Sequence, residues 1–335
     1  MQRPRVLLLI AGGTALSPKE GAGLKVRTAK DIPARMRELQ ELLIVADIDP
    51  LFISAGQTSE PQTELWTRIG QTVAQEYQKY DGFVLTHDID SVHYTAPALA
   101  CAFDGIGKPF VITASPYDLL QRNVPNHIRS MFDEYSGFGN KDNLLNALHV
   151  AVADLGETCL VFGNQIHRAL EVGLSREPNI NYFSSVSGRL VGKVDFGLKL
   201  FPPVQRRHAR TVRFQTKYNS DILTLDIHPG VANKQLAASL AIKPKAVFIK
   251  LDELSTMPTE VAAALSKLAR ANVPVLVFRE SGGGDQRGPF IRLNSLPYHI
   301  AYVLAVWALG QANTVPKLKS LIEEKLKRLR RKGAG

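Results

Sequence analysis

A threonine hydroxyl follows two glycines at the point where the first predicted strand ends. The apolar run 6–10 leads directly into Ala11, Gly12, Gly13 and Thr14. Glycine lets the backbone turn sharply and approach a ligand closely, and ligands of open α/β sheets bind outside the carboxyl ends of the strands. Thr14 is therefore a candidate nucleophile or ligand contact, although the same four residues are equally typical of a purely structural turn.

A second cluster of polar side chains follows another short apolar strand, residues 83–85. Two strands that end in polar groups predict one site shared along the same edge of a sheet. Asp90 or Ser91 can cap the helix predicted at 92–105, or Asp90 can contact a ligand. One histidine and two carboxylates are a weak metal signature, so we expect no metal ion. The cluster consists of Thr86, His87, Asp88, Asp90 and Ser91.

Short apolar strands alternate with amphipathic segments over the first 200 residues, which predicts a mostly parallel sheet with helices on both faces. The rhythm breaks at a Pro-Pro pair and a basic run, and it resumes near residue 222. We expect an α/β protein of two domains: a larger flavodoxin- or Rossmann-like N-terminal domain (1–200), a linker (201–220) and a smaller C-terminal α/β domain (221–335). The predicted strands are 5–10, 50–54, 82–86, 109–113, 158–162, 222–227, 246–249 and 273–278, and the predicted helices are 30–44, 61–79, 92–105, 141–154, 231–240 and 258–271, followed by two more.

The composition is that of an ordinary globular protein, because 45% of the 335 residues are hydrophobic and 21% are charged. The two cysteines, Cys101 and Cys159, lie in apolar surroundings, which indicates buried thiols in a reducing compartment rather than a disulfide. No apolar run reaches the length of a membrane span and no signal peptide is recognised, so we expect a cytoplasmic protein without membrane contact. Since no P-loop or dinucleotide fingerprint is present, we expect no cofactor.

The formal net charge is +10, and the excess positive charge lies in two basic runs. One spans residues 206–217, and the other is the C-terminal tail, residues 317–332. Such runs can bind the phosphates of RNA, or they can be a charged linker and the solvated face of a helix. Five apolar residues of the tail recur at helical spacing, so one helix face can dock while the other stays in solvent. They are Leu318, Leu321, Ile322, Leu326 and Leu329.

Several motifs in the first 200 residues together resemble the bacterial-type L-asparaginase family, which includes type I enzymes and the D subunit of the archaeal tRNA-dependent amidotransferase. Residues 11–16 resemble the family's Thr-Gly-Gly-Thr-Ile motif, and residues 86–91 resemble its Thr-His-Gly-Thr-Asp-Thr motif. Further matches lie at 108–111, 143–147 and 183–185. The resemblance implies a two-domain amidohydrolase that hydrolyses the side-chain amide of asparagine or a related molecule and forms a homodimer or homotetramer.

The resemblance also implies roles for particular residues. Thr14 would be the nucleophile, and Asp90 would bind the amino group of the substrate. Thr58 or Ser59 would supply the hydroxyl that binds the substrate's carboxylate. The implied ligand is a small amino-acid-like molecule, and the remaining substrate-binding candidates are Gly13, His87, Asp88 and Ser115.

The chain departs from the family pattern at the groups with which the family handles protons. Ile89 stands in place of the second motif's threonine, Asp88 in place of its glycine, and Leu174 in place of the family lysine. The loop 17–30 contains no tyrosine to assist the nucleophile. Catalytic groups that act as a unit lose several orders of magnitude in rate when one is removed. We therefore expect an amidohydrolase of weak activity or, alternatively, a re-purposed, non-catalytic relative that binds an amino-acid-like ligand, RNA or a protein partner.

Overall fold

The computed structural model describes most of the chain and divides it into two compact units. The first unit comprises Met1–Thr216 with Lys332–Gly335, and the second comprises Lys217–Arg331. Residues 201–216, which lie in the predicted linker, belong to the first unit. No described helix is both long and apolar enough to cross a lipid bilayer. The described residues are 3–12, 26, 28–56, 62–114, 140–175, 182–228, 238–251, 257–279, 288–294 and 296–333.

The described part of the first unit contains five strands near the predicted positions and five shorter ones that the sequence did not predict. The shorter strands span only three or four residues each, so they carry no apolar run to signal them. In chain order the strands are β1 (Arg5–Ala11), β2 (Asp47–Phe52), β3 (Gly82–His87), β4 (Phe110–Ala114), β5 (Thr158–Phe162), β6 (Gln165–Arg168), β7 (Val172–Leu174), β8 (Phe183–Ser185), β9 (Gly192–Val194) and β10 (Leu198–Leu200).

Eight of these strands form one mixed sheet in the order β10-β9-β6-β5-β4-β3-β1-β2, and β7 pairs with β8 separately. Strands β1 to β5 are parallel to one another, whereas β6, β9 and β10 continue the sheet in antiparallel pairs. The sub-order β2-β1-β3-β4-β5 is the flavodoxin-like order of doubly wound sheets. The expected α/β fold with a large, mainly parallel sheet is therefore confirmed.

The strand order also locates the crevice where a ligand can bind. In this order the strands that follow β1 and those that follow β3 extend the sheet in opposite directions. A doubly wound sheet opens a crevice at such a switch point, outside the carboxyl ends of the two neighbouring strands. In this chain the switch point lies between β1 and β3, which are the strands that end in the two polar clusters.

The helices of the first unit differ from the predicted ones mainly at their ends. The helix predicted at 30–44 is divided, because the backbone leaves helical geometry at Leu39 (φ −117°, ψ 40°). Leu39 at the break and Leu42 at the start of the next helix are both buried. The described α-helices of this unit are α1 (Ile32–Glu38), α2 (Leu42–Val45), α3 (Gln62–Glu76), α4 (Ile89–Ala102) and α5 (Asn140–Ala151).

The central strands of the first unit are buried on both faces. Every residue of β3, β4 and β5 is buried, and so is all of β1 after Arg5. Near-continuous apolar strands are typical of parallel sheets that are covered by helices on both sides. The edge strand β2 instead alternates buried and exposed residues over its first three positions. The core therefore holds the carboxyl ends of β1 and β3 in fixed positions.

The second unit is a smaller α/β unit with a parallel sheet. Its strands are β11 (Ile222–Ile227), β12 (Ala246–Leu251), β13 (Val275–Arg279) and β14 (Ile291–Asn294), in that order, and its helices are α6 (Thr259–Arg270), α7 (Tyr298–Gln311) and α8 (Val315–Gly333). Strand β14 was not predicted, and the helix predicted at 231–240 lies mostly outside the described residues. Of the predicted apolar stripe of α8, three side chains are buried, namely Leu318, Leu321 and Ile322.

The first basic run is bound to the first unit and does not extend freely into solvent. The guanidinium of Arg207 donates hydrogen bonds to the backbone carbonyls of Ala153 (2.6 Å) and Asp81. Arg206 pairs with the Asp154 carboxylate at 3.4 Å. Two cations of the run are therefore engaged in contacts with the first unit. This favours a structural role for the run over binding of a polyanion.

A buried ionic cluster joins the antiparallel end of the first sheet to the segment that follows it. The guanidinium of Arg168 contacts the carboxylates of Glu157 at 2.8 Å and Glu171 at 3.3 Å. The hydroxyl of Ser187 donates to Glu171, and the backbone amide of Gln205 donates to Glu157 at 2.7 Å. Burial of charge is tolerated only when it is paired and hydrogen-bonded in this way.

We predict that Arg168→Met destabilises the first unit by about 3–5 kcal/mol, because the two buried carboxylates lose their compensating charge. The matched control is Arg206→Met, whose ion pair with Asp154 is 60% exposed on both sides. An exposed pair of this kind contributes less than about 1 kcal/mol. Urea unfolding followed by circular dichroism measures both variants, and equal effects would contradict a stabilising role for the buried cluster.

Candidate functional site

The described residues that end β1 and β3 lie side by side at the switch point. In the parallel register of β1 and β3, Ile10 lies beside Thr86 and Ala11 beside His87. The hydroxyl of Thr86 donates a 3.1 Å hydrogen bond to the carbonyl of Gly12, the first residue after β1. This bond crosses from one strand end to the other, so it fixes the start of the Gly-Gly-Thr segment against β3.

The imidazole of His87 is buried and hydrogen-bonded at both nitrogens. Its Nδ1 lies 3.0 Å from the Asp88 carbonyl, and its Nε2 lies 3.0 Å from the Thr95 hydroxyl on α4. The indole of Trp66 on α3 donates to the same hydroxyl at 2.8 Å. Since a carbonyl only accepts and an indole N–H only donates, Nδ1 carries the proton and the Thr95 hydroxyl donates to Nε2.

Burial lowers the pKa of His87 to about 4, so the ring stays neutral at neutral pH. The hydrogen bond from Nδ1 to the Asp88 carbonyl opposes this shift, but burial is the larger effect. A neutral ring whose two nitrogens have protein partners has no nitrogen left for a ligand. His87, one of the substrate-binding candidates, therefore acts by holding the turn from β3 into α4.

Asp88 forms that turn, and its side chain projects into the crevice. It is the N-cap residue of α4 with an extended backbone (φ −72°, ψ 136°), but its carboxylate makes no capping hydrogen bond. A Cβ on Gly12 would lie 2.8 Å from Asp88 Oδ1, and a Cβ on Gly56 would lie 2.6 Å from the same atom. The carboxyl group is thus held between the segments that follow β1 and β2, where only glycine leaves room for it.

Ile89 and Asp90 begin α4. Ile89 is completely buried, and Asp90 lies half-buried in the first turn. The helix therefore starts at Ile89 rather than at residue 92, and its N-cap is Asp88 instead of Asp90 or Ser91. A carboxylate in the first turn is favoured by the partial positive charge of the helix N-terminus. The described residues contain no group of three or more metal-ligating side chains that could hold an ion.

Leu174 ends β7, which lies against α4. It pairs with Phe183 of β8, and 43% of its surface is exposed. The family lysine would stand at this position. If the resemblance is correct at this position, an apolar and partly exposed side chain stands beside α4 where the family motif has a cation.

Two further motif matches, 143–147 and 108–111, have structural roles. The Asn143 side chain accepts a 2.6 Å hydrogen bond from the Gly163 amide, and the Asn146 side chain donates to the Gly163 carbonyl at 3.0 Å. Together they hold the turn between β5 and β6. The ammonium of Lys108 donates to the carbonyls of Tyr77 and Tyr80, just beyond the end of α3. These residues support the sheet and lie outside the site chemistry.

Five of the predicted site residues lie outside the described residues, so their positions remain predictions. They are Gly13, Thr14, Thr58, Ser59 and Ser115. Most of the loop 17–30 lies outside the described residues as well. Among the described candidates, the structure brings Asp88 and the start of α4 to the switch-point crevice beside Gly12.

Comparison with known proteins assigns the family. Residues 5–203 match the family model described as the N-terminal domain of asparaginase. The chain belongs to the asparaginase family. The matched span contains β1 to β10 and α1 to α5, so this membership covers the whole described sheet of the first unit.

Individual relatives agree with this assignment. The chain is 25% identical over 353 positions to the D subunit of glutamyl-tRNA(Gln) amidotransferase from Methanosarcina acetivorans, and the match covers 96% of this chain and 78% of the relative. It is 30% identical over 142 residues to L-asparaginase 1 of Escherichia coli K12, and this match covers 42% of this chain and 37% of that protein. The solved L-asparaginase I of Vibrio cholerae superposes with a TM-score of 0.75 at 21% identity over 96% of this chain and 97% of its own.

Sequence reasoning missed the residues that support the cluster. Thr95 and Trp66 bond to His87 in series, yet they lie eight and twenty-one residues away on different helices. A threonine within a mainly apolar predicted helix is only a weak sequence signal that Thr95 bonds to His87. Gly56 was also missed, although a glycine after the second strand is a signal for a close approach of another group.

We predict that the free energy of unfolding falls by about 2 kcal/mol between pH 7 and pH 5 because of His87. The unfolded ring takes up a proton near pH 6.5, whereas the folded ring does so only near pH 4. Between these values the unfolded state binds more protons, so acid destabilises the fold. Burial also lowers the pKa of His167 to about 4, so His87→Gln removes one of two such contributions.

The matched control for this prediction is His149→Gln on the exposed face of α5, which removes a histidine without opening the core. Urea unfolding at pH 5, 6 and 7 measures the effect. An NMR titration of the His87 ring in the intact protein provides a second measurement that does not depend on a variant. A ring that titrates near pH 6.5 would contradict the buried neutral assignment.

Proposed function

We propose that the protein is an amidohydrolase of low activity that acts on asparagine or a related side-chain amide. The observation that carries this proposal is the position of Gly12 and Asp88 at the switch-point crevice, because the Gly-Gly-Thr segment continues directly from Gly12. Family membership supports amide chemistry, and the names of the two relatives, an asparaginase and part of an amidotransferase, agree with it.

In this proposal Thr14 is the nucleophile. Its hydroxyl attacks the carbon of the side-chain amide, ammonia leaves, and water then hydrolyses the resulting ester to a carboxylate and the free hydroxyl. Asp90, at the positive end of α4, binds the amino group of the ligand. The hydroxyls of Thr58 and Ser59, the backbone of Gly13 and the side chain of Ser115 would complete the binding site.

The low activity follows from the side chains that replace the family's proton-handling groups. Ile89 is fully buried and carries no hydroxyl, so its side chain can neither relay a proton nor donate to the reacting amide. Leu174 carries no charge beside α4. A positioned acid or base contributes about 10²–10⁴-fold to a rate, so the loss of two such groups is severe.

The second candidate function is a re-purposed member of the family that binds an amino-acid-like ligand without turnover. The position of Asp88 favours it, because a charged side chain occupies the crevice in place of the motif glycine. One relative is named as a subunit of a larger enzyme, which supports a protein partner for this chain as well. We also propose a homo-oligomer in the cytoplasm, where the buried thiols of Cys101 and Cys159 stay reduced.

We predict that the full chain releases ammonia from L-asparagine with a kcat below about 1 s⁻¹, at the bottom of the usual enzyme range. The warrant is the joint absence of a relay hydroxyl at Ile89 and a cation at Leu174. A coupled assay for ammonia measures the rate, and Thr14→Ala abolishes it. Rapid turnover that depends on Thr14 would refute the low activity, and release that survives Thr14→Ala would refute the nucleophile.

We predict that Ile89→Thr combined with Leu174→Lys raises the rate of ammonia release at least about 100-fold. Leu174 is 43% exposed, so a lysine there keeps its ammonium in contact with water. The control is Leu198→Lys on β10, which adds the same charge at another partly exposed leucine. Thermal midpoints confirm that each variant is folded. Failure of the double variant to exceed the control would argue for the binding function.

A further inference from the structure

We propose that the second unit carries a docking groove for an extended acidic segment of a partner protein, which adds as a strand to the outer edge of β14. The groove lies between β14 and α8 and has a volume of about 460 Å³. The proposal does not depend on amide hydrolysis, because the candidate residues for that reaction lie in the first unit. The lining of this α8–β14 groove includes Phe290, Arg292, Lys319, Ile322, Leu326 and Lys327.

One wall of the α8–β14 groove is a strand at the edge of a sheet. The described strands of the second unit pair in the order β11-β12-β13-β14, so β13 is the only described strand that pairs with β14. The outer side of an edge strand presents a row of backbone N–H and C=O groups to which another strand can bond. An extended peptide that adds there gains affinity from these main-chain bonds and specificity from the pockets beside them.

The other wall is one face of α8. Its lining residues stand at positions 319, 322, 323, 326 and 327, a spacing that places them on the same side of a helix. Ile322 is buried and Leu326 is partly buried, so apolar side chains lie between the two lysines of this face. From Lys319 to Lys327 the helix rises about 12 Å, which is the length of about four residues of extended chain. Because β14 is itself four residues long, one short strand matches both walls.

The charge of the lining selects an acidic partner. Its cations are Arg292, Lys319 and Lys327, and its single anion is Glu323. Lys319 lies 3.9 Å from Glu323 with both side chains at least half exposed, and exposed pairs of this kind hold their charges only weakly. The surplus of positive charge attracts carboxylates to the groove and repels other cations.

The same surplus argues against a second copy of the chain as the occupant. In a two-fold contact the same surface patch lies on both sides. Pairing of β14 with β14 of another copy would therefore bring the cations of two grooves together, and like charges that face each other in an interface are unfavourable. A segment with carboxylates in place of these cations meets no such repulsion.

The geometry of the helix wall also predicts the sequence pattern of the segment. Residues i, i+2 and i+4 of a strand point to the same side, and the outer two lie about 13 Å apart. This spacing matches the rise of about 12 Å between Lys319 and Lys327. The middle residue then lies beside Ile322 and Leu326, which line the groove between the lysines. The predicted motif is therefore acidic-x-apolar-x-acidic.

The test measures, by fluorescence anisotropy, how a labelled peptide with the core Glu-Thr-Val-Thr-Glu and uncharged ends binds to the full chain. We expect saturable binding with a Kd below about 1 mM. Lys319→Gln combined with Lys327→Gln should weaken it about fivefold to tenfold, because two ion pairs with the peptide are lost. The matched control, Lys267→Gln combined with Lys317→Gln, removes two exposed lysines outside the groove lining and should change the affinity less than about twofold at physiological salt.

A second measurement tests the addition of a strand and uses the wild-type chain, so it does not depend on the folding of a variant. Alternate residues of an added strand direct their backbone groups toward the sheet, and the residues between them direct theirs away. Two peptides are therefore compared, one N-methylated at the three outer and middle motif residues and the other at the two threonines. One of them should lose binding, whereas the other should bind within about threefold of the unmodified peptide.

Several outcomes overturn the proposal: the acidic peptide shows no saturable binding, both N-methylated peptides bind equally well, or the groove variant binds like its control. Displacement of the peptide by single-stranded RNA at equal affinity would identify a surface for polyanions in general and would overturn it too. Sedimentation of the wild-type chain and the groove variant tests the remaining occupant. Self-association that the groove variant loses would assign the groove to a second copy of the chain.

Discussion

The candidate site depends on how the chain leaves β3. Within one residue, Asp88, the backbone must change from strand to helix, and His87 holds this turn by donating from Nδ1 to the Asp88 carbonyl. The imidazole is held in turn by Thr95 on the helix that the turn begins. Because the ring is neutral and both nitrogens are bonded, its burial leaves no unsatisfied polar group. This arrangement fixes the direction in which the Asp88 carboxyl group projects.

The location of the site could be predicted because two local patterns coincide. An apolar run that ends in glycine or polar residues indicates a buried strand with an exposed tip, and both β1 and β3 show it. The start of α4 could not be fixed in this way, since Asp88, Asp90 and Ser91 are all good capping residues by type. The partners of His87 also lay beyond sequence reasoning, because Thr95 and Trp66 meet it only through the packing of two helices.

The residues of the motifs that resemble the family's have two kinds of role: some satisfy backbone groups, and others would only transfer protons. Asn143 and Asn146 satisfy both backbone groups of Gly163, and Lys108 satisfies carbonyls beyond the end of α3. Loss of either would leave polar groups buried without partners, at about 1–3 kcal/mol for each. Replacing a residue that only transfers a proton has no such cost in stability. The resemblance places Ile89 and Leu174 at positions of this second kind, where the family motifs have threonine and lysine.

Two of the differences from the family motifs change the side-chain charge near α4 in the same direction. Leu174 ends β7, which lies against α4, at the position where the resemblance predicts the family lysine. Asp88 adds an anion at the start of the same helix. Relative to the family motifs, both differences lower the summed formal charge of the side chains around α4. The fold can keep its geometry when these charges differ, because the hydrogen bonds that hold His87 and Gly163 in place involve neither the carboxylate of Asp88 nor the side chain of Leu174.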